Sequence, residues 1–188
     1  MGISFAQIRL GATAGLNASS YNESGGESMS YGFKAGIQAG IIADFCITKK
    51  FSVMPELLFS QHGVKYKSYE VYTTLNYLRL PLNLAYKYDI GDGSLLFVFA
   101  GPYVGYGLSG NTSSKVKGTK IEFPDINFGS KEDDLKQVDY GINIGIGYEF
   151  EKVFFKIQYN HGLSDLHNLE SIKRKNVNIT ISAGYYFL

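Results

Sequence analysis

Three histidines are the first place to look for chemistry in this chain. His62 follows Ser60 by two residues and Glu56 by six. A serine, a histidine and an acid are the parts of a hydrolase nucleophile, in which the imidazole takes the hydroxyl proton and the carboxylate holds the ring. His161 and His167 bracket Asp165, a trio with metal-ligand chemistry but spacing too unspecific to name a site. Cys46 stands alone, so no internal disulfide forms. Asn111-Thr112-Ser113 matches a glycosylation acceptor.

What these residues can do depends on the elements that carry them, and the dominant signal along the chain is alternation. In 138–150, Val138, Tyr140, Ile142, Ile144, Ile146, Tyr148 and Phe150 share one parity, and Asp139, Gly141, Asn143, Gly145, Gly147 and Glu149 share the other. Successive strand residues point to opposite faces, so one face is apolar and the other is glycine and polar. The same two-faced pattern recurs in 7–18, 32–47, 51–64, 77–90, 153–160 and 176–187. Segment 95–108 is the least regular, because Phe97 and Phe99 fall on its glycine parity. Eight strands follow.

On this reading Ser60, His62 and Glu56 all face the same way along one strand, toward the non-apolar side. That side makes His62 a hydrogen-bonded interior histidine rather than a base, and Cys46 a small, partly buried thiol. No catalytic set, metal site or cofactor site is expected.

The connections alternate as well. Thr48-Lys49-Lys50, Gly91-Asp92-Gly93 and Glu151-Lys152 are tight, whereas 19–31, 65–76, 109–137 and 161–175 are long and polar. An up-and-down meander with turns at one end and loops at the other gives this order. An even strand number puts both termini at the turn end. Pro55, Pro81 and Pro102 lie inside strands, where each removes a ladder donor, and they suggest bulges or local bends.

Composition narrows the class. The 188 residues suit one domain, 1–188, and carry a net charge of +1 with no basic run, which removes the electrostatic case for nucleic acid. There are 15 Tyr, 13 Phe and 22 Gly, and no Trp. No run of about 18 apolar residues exists, so no transmembrane helix is expected. No complete signal peptide is visible; Ala6-Gln7 fits the tail of a cleavage site, with Met1-Gly2 a cloning addition, as well as the start fits a natural one.

Which face is outside decides the environment. A soluble barrel, such as a lipocalin-like carrier, turns its apolar face inward and its charges to water. Here the non-apolar face is rich in glycine, which weakens a water-facing strand but gives room inside a narrow barrel. Tyr86, Tyr88, Tyr148, Phe150, Tyr185 and Phe187 lie on the apolar face at the turn end, as in an aromatic girdle at a membrane surface. Most segments reach the roughly 9–11 residues of a tilted membrane strand. The expected architecture is therefore an all-β, eight-stranded antiparallel up-and-down transmembrane barrel in a bacterial outer membrane, with periplasmic termini.

Inside, Arg9, Lys34, Arg79, Lys87 and Lys156 face Asp44, Glu56, Asp139 and Glu149. Buried charges must pair or hold water, so these nine form a structural charge network in the lumen. Glu56 with Arg79 on the next strand, and Glu149 with Lys156 across a hairpin, are the expected pairs. An eight-stranded interior is just wide enough for side chains to fill, so the lumen is expected to be plugged.

Several runs carry a family resemblance. They are Phe33-Lys34-Ala35-Gly36-Ile37, Met54-Pro55-Glu56-Leu57-Leu58-Phe59-Ser60-Gln61, Tyr77-Leu78-Arg79-Leu80-Pro81-Leu82, Ala100-Gly101-Pro102-Tyr103-Val104-Gly105-Tyr106, Asp139-Tyr140-Gly141, Gly145-Ile146-Gly147-Tyr148-Glu149 and Tyr159-Asn160-His161-Gly162-Leu163. As a set, over nearly the whole chain, they resemble the PorT-like outer-membrane β-barrels of Gram-negative bacteria. The resemblance implies the same inside-outside pattern and no single activity; some members are associated with protein secretion. Such barrels commonly end on an aromatic residue, whereas here Phe187 is penultimate and Leu188 is last.

The functional expectation is a non-catalytic monomeric barrel with a structural, accessory or surface-interaction role through its long loops. Its partners would be outer-membrane lipids, including lipopolysaccharide, and a protein met through the loops or the envelope machinery. Lys115, Lys117 and Lys120, followed by Glu132, Asp133 and Asp134, give one loop cations that could meet lipopolysaccharide phosphates, against the default of a solvated loop. The competing classes are a lipid-modifying outer-membrane enzyme and a soluble lipocalin-like carrier.

Overall fold

The computed structural model describes residues 7–24, 31–66, 71–116, 119–122, 126, 128–129, 135–165 and 173–188. The elements are β1 (Gln7–Ser24), β2 (Tyr31–Cys46), β3 (Phe51–Tyr66), β4 (Val71–Gly91), β5 (Ser94–Val116), β6 (Thr119–Glu122), β7 (Val138–Phe150), β8 (Val153–Gly162) and β9 (Lys173–Tyr186). All ladders are antiparallel, and sequence neighbours pair around the sheet. Pairing of β1 with β9 and of β4 with β5 closes it. Eight long strands form the wall, and β6 folds back on the outer end of β5.

The register fixes the barrel's shape. Ile8 pairs with Phe45, Phe45 with Val53, Val53 with Leu84, Leu84 with Ala100, Ala100 with Ile144, Ile144 with Tyr159, Tyr159 with Ile179, and Ile179 with Ala18. One circuit therefore returns to β1 ten residues beyond its start. With eight strands this stagger implies a tilt of roughly 40°. Each residue then climbs about 2.5 Å along the axis, so about ten residues cross the apolar height of an outer membrane.

Strand parity holds around the wall through its middle and slips by one residue at the register shifts toward the loop end. On β7, inward Asp139, Gly141, Asn143 and Glu149 are buried while outward Val138, Tyr140, Ile142, Ile144 and Ile146 are exposed. Leu, Ile, Val, Phe and Tyr side chains are exposed on every long strand. A continuous apolar belt of this extent is far beyond what a water-soluble monomer shows. At the turn end the six expected aromatics stand on this belt, from 37% exposed for Tyr86 and Tyr148 to 59% for Tyr88. Phe187 also faces out, and its N–H donates to the Leu10 carbonyl at 2.9 Å, extending the β1 ladder.

The glycines explain the irregular strand. Phe97, Phe99 and Tyr103 point inward, and their direct cross-strand partners are Gly147, Gly145 and Gly141. Phe154 faces Gly184, and Tyr186 faces Gly11. A Cβ at Gly147, Gly145 or Gly184 would collide with the facing ring. Glycine is thus the space into which each inward ring folds. The turn Gly91-Asp92-Gly93 uses positive φ at all three residues, +91°, +51° and +72°, which glycine adopts without steric cost.

Two expectations need correction. The strands run far into the segments 19–31, 65–76, 109–137 and 161–175, reaching 21 residues in β4 and 23 in β5. Ladder hydrogen bonds do not require an apolar face, so pairing continues where alternation fades. The register shifts fall between Phe33 and Gln38, between Asn76 and Tyr77, and between Asp89 and Gly91, rather than at prolines. At Pro55 the pairing lapses between Ile42–Glu56 and Phe45–Val53, yet the register is the same on both sides.

Candidate functional site

The lumen collects the chain's buried charge in tiers. Nearest the turns, Arg9 from β1 holds Asp44 of β2 and Glu149 of β7 together, and Lys87 of β4 also donates to Asp44. The Arg9 guanidinium lies over the Tyr186 ring, 4.2 Å from its centroid. The half-buried Cys46 thiol borders the cluster, with Sγ 3.8 Å from Asp44 Oδ1 and 4.0 Å from Lys87 Nζ. Next comes an apolar layer of Ile42, Met54, Ala85, Phe97, Phe99 and Phe154.

At mid-barrel, Lys156 Nζ of β8 donates to Glu56 Oε1 of β3 at 2.5 Å, with side-chain exposures of 1% and 0%. Asn83 Nδ2 donates to the same oxygen at 3.3 Å. Further toward the loops, Arg79 stacks on Tyr103 at 4.0 Å and donates to Asn160 Oδ1 at 3.2 Å. Tyr103 donates in turn to Asp139 Oδ2 at 3.3 Å. Asp139 also accepts from Ser164 at 2.5 Å and Asn176 at 3.0 Å. Among the described residues Arg79 therefore reaches Asp139 through a tyrosine.

Both expected pairs are corrected by this geometry. Glu56 pairs with Lys156 rather than Arg79, and Glu149 pairs with Arg9 rather than Lys156. The cause is the narrowness of the barrel. β3 and β8 stand opposite each other in the strand order, and long side chains cross the axis to meet. Reasoning from adjacent strands misses such partners. Among the described residues Lys34 is not joined to the network; it is half-buried, and its Nζ reaches only the Ala35 carbonyl at 3.5 Å.

The serine-histidine arrangement is present in part. Ser60 Oγ and His62 Nε2 are 2.9 Å apart, and Asn17 Nδ2 donates to Ser60 at 3.0 Å. Glu56 is committed to Lys156, and His62 Nδ1 has no partner among the described residues. The Tyr77 ring packs edge-on against His62 at 5.5 Å, and Phe128 packs on Tyr77 at 5.9 Å. Ser60 is fully buried under this stack. Among the described residues no acid orients the imidazole, and the Ser60 hydroxyl is buried.

At the loop end, Ile126 donates to the Gly110 carbonyl at 2.8 Å, and the Phe128 ring fills the space over Gly107. Beside them lies a polar cavity of about 670 Å³, lined by β2, β3, β4, β5 and residues 126, 128 and 137. Sequence reasoning does not find it, because its walls come from segments without alternation. His161 lies near Tyr159, with Nδ1 3.4 Å from the phenol oxygen. No group of three metal-ligating side chains gathers among the described residues. His167, Lys117, Glu132, Asp133 and Asp134 lie outside the described residues, as do the side chains of Lys115 and Lys120.

Comparison with known proteins agrees with the architecture. A family model described as outer membrane protein beta-barrel domain matches residues 5–168. No curated protein sequence matches the chain. Similar solved structures include Ail, the attachment invasion locus protein of Yersinia pestis, at 14% identity over 95% of this chain and 98% of that one, with a TM-score of 0.48. Neisserial surface protein A matches at 12% identity over 95% and 97%, with a TM-score of 0.49. The outer membrane protein OprG of Pseudomonas aeruginosa matches at 15% identity over 96% and 94%, with a TM-score of 0.48.

Proposed function

The chain belongs to the outer membrane protein β-barrel domain family, and from that premise we propose that it is a non-catalytic barrel with a closed lumen that presents its long hairpins as an interaction surface outside the cell. Its place is the bacterial outer membrane. Within the family, the runs around Pro55, Pro81 and Pro102 support grouping it with the PorT-like barrels.

One contrast carries the functional reading. The lumen is filled by Arg9, Asp44, Glu149, Lys87, Phe97, Phe99, Phe154, Glu56 and Lys156, while the strands run to 16–23 residues in β1 to β5. Spanning needs about 9–11. Nothing of diffusible size passes such an interior, and the surplus strand length extends the loop end alone. The three tight turns and both termini share the other end, which supports a periplasmic position for the termini. Outer-leaflet lipids, including lipopolysaccharide, and a protein partner at the loops are the proposed contacts, with the barrel a monomer.

The Ser60–His62 contact of 2.9 Å is the one observation that favours a lipid-modifying enzyme. Its burial and missing acid weigh against it.

The test has two parts. Purified protein in planar bilayers should give no stable conductance, and Asn111→Cys should react with an impermeant maleimide on intact cells while Asp92→Cys should not. Stable large conductance removes the closed lumen; labelling of Asp92→Cys instead reverses the orientation.

A further inference from the structure

The cavity at the loop end has a chemistry that the barrel's architecture does not need. Its volume of about 670 Å³ lies in the range of small-ligand sites. Amides and hydroxyls dominate the lining, with Gln61, Asn76, Asn111 and Gln137 among them, and Phe128 adds an aromatic wall. Side-chain amides offer donors and acceptors together, the pairing that vicinal sugar hydroxyls require. An aromatic ring complements the apolar C–H face of a pyranose.

Two groups in the lining lack the partners that burial normally demands. Asn76 Nδ2 donates to Ser109 at 2.9 Å, but Asn76 Oδ1, shielded from water, has no partner among the described residues. Among the described residues, Lys34 is the one charged residue in the lining. No carboxylate lies within ion-pair reach of it among the described residues, although every other lumen lysine has one. A half-buried ammonium beside an open polar cavity is a ready partner for an anionic group, through charge-assisted hydrogen bonds.

We propose that this cavity binds an anionic oligosaccharide, with Lys34 meeting its carboxylate or phosphate and the amides around Asn76 holding its hydroxyls. The space suits roughly two or three sugar rings. The proposal rests on the reading of this end as extracellular, where such glycans occur in the envelope itself and in the surroundings. The Lys34 ammonium selects charge, and the amide set selects hydroxyl-rich ligands over simple anions.

Trigalacturonate, the phosphorylated core oligosaccharide released from lipopolysaccharide, and neutral maltotriose are the probes, titrated into the full chain in detergent micelles by calorimetry and saturation-transfer NMR. At least one anionic sugar should bind, tenfold or more tightly than maltotriose. Whichever anionic sugar binds better identifies the source. Lys34→Gln should weaken binding at least tenfold and Asn76→Leu about fivefold, both in protein that keeps its heat-modifiable migration in SDS gels. Lack of binding by both anionic sugars, parity with maltotriose, or binding unchanged by Lys34→Gln overturns the site. The orientation fails separately: binding in micelles with no labelling of Asn111→Cys on intact cells keeps the site and discards the extracellular assignment.

Discussion

Removing Glu56 or Lys156 singly should destabilise the barrel strongly, and removing both should not. The two side chains are 0% and 1% exposed and share a 2.5 Å contact across the lumen axis. Breaking a buried ion pair by deleting one partner costs about 3–5 kcal/mol, because the other charge is left in a low-dielectric interior. Each stranded charge here keeps some relief. Glu56 retains the Asn83 amide at 3.3 Å, and Lys156 retains the Phe99 ring at 5.7 Å. The single variants Glu56→Leu and Lys156→Met should therefore each cost about 3 kcal/mol, the low end of that range. The double variant replaces the pair by apolar volume and should fall within about 1 kcal/mol of the parent. The coupling is then about 5 kcal/mol, large among measured pair couplings. Urea unfolding in lipid vesicles, followed by tyrosine fluorescence and by gel migration, measures all four proteins. Additive single effects would refute the transluminal pair, because additivity means that neither charge feels the other's loss.

Three other outcomes follow from the same interior and its belt. Arg79 has no carboxylate partner, and its Nε and Nη1 are unpaired among the described residues, so Arg79→Met should shift urea stability by no more than about 1 kcal/mol, unlike Lys156→Met. Gly147→Leu should cost about 1–3 kcal/mol by overpacking against Phe97, and Phe97→Ala in that background should recover part of the loss in the same assay. Ile144→Arg, midway along β7, should cost about 2–4 kcal/mol, and Tyr88→Arg at the turn end about 1 kcal/mol or less; equal costs in vesicle refolding would contradict the depth of the belt.

The parity of each strand was readable because lipid and lumen make opposite demands on alternate residues. Segment 138–150 coincides with β7, where Tyr140, Ile142 and Ile144 meet lipid and Gly141, Asn143 and Gly145 meet the interior. Phe97 and Phe99 looked like breaks in the pattern because the rule assigned aromatics to lipid. Their glycines lie on β7, some 50 residues away in sequence, and only the register brings Phe97 to Gly147 and Phe99 to Gly145. Charge partners were hidden for a related reason. The strand order names Arg79 as a neighbour of Glu56, but the direct partner of Arg79 is Leu58, and Lys156 arrives from the far wall. Outer strand ends such as Ser109–Val116 carry no alternation at all, since water meets both faces. The cavity there was invisible for that reason.

The division of charge along the axis bears on where function can reside. Toward the turns, each lysine and arginine in contact with the lumen network meets a carboxylate: Arg9 meets Asp44 and Glu149, Lys87 meets Asp44, and Lys156 meets Glu56. Toward the loops this matching lapses. Among the described residues, Arg79 meets a ring and an amide, Asp139 accepts from neutral donors alone, and Lys34 meets a backbone carbonyl. Buried groups without full partners carry a standing cost, so an interior shaped only by stability would have matched or removed them. The apolar layer of Phe97, Phe99 and Phe154 lies within the matched region, between the Arg9 cluster and the Glu56–Lys156 pair. On the proposed orientation the ion-paired tiers lie toward the periplasm and the charges without ionic partners among the described residues lie toward the outside, which is the arrangement the proposed loop-end ligand site requires.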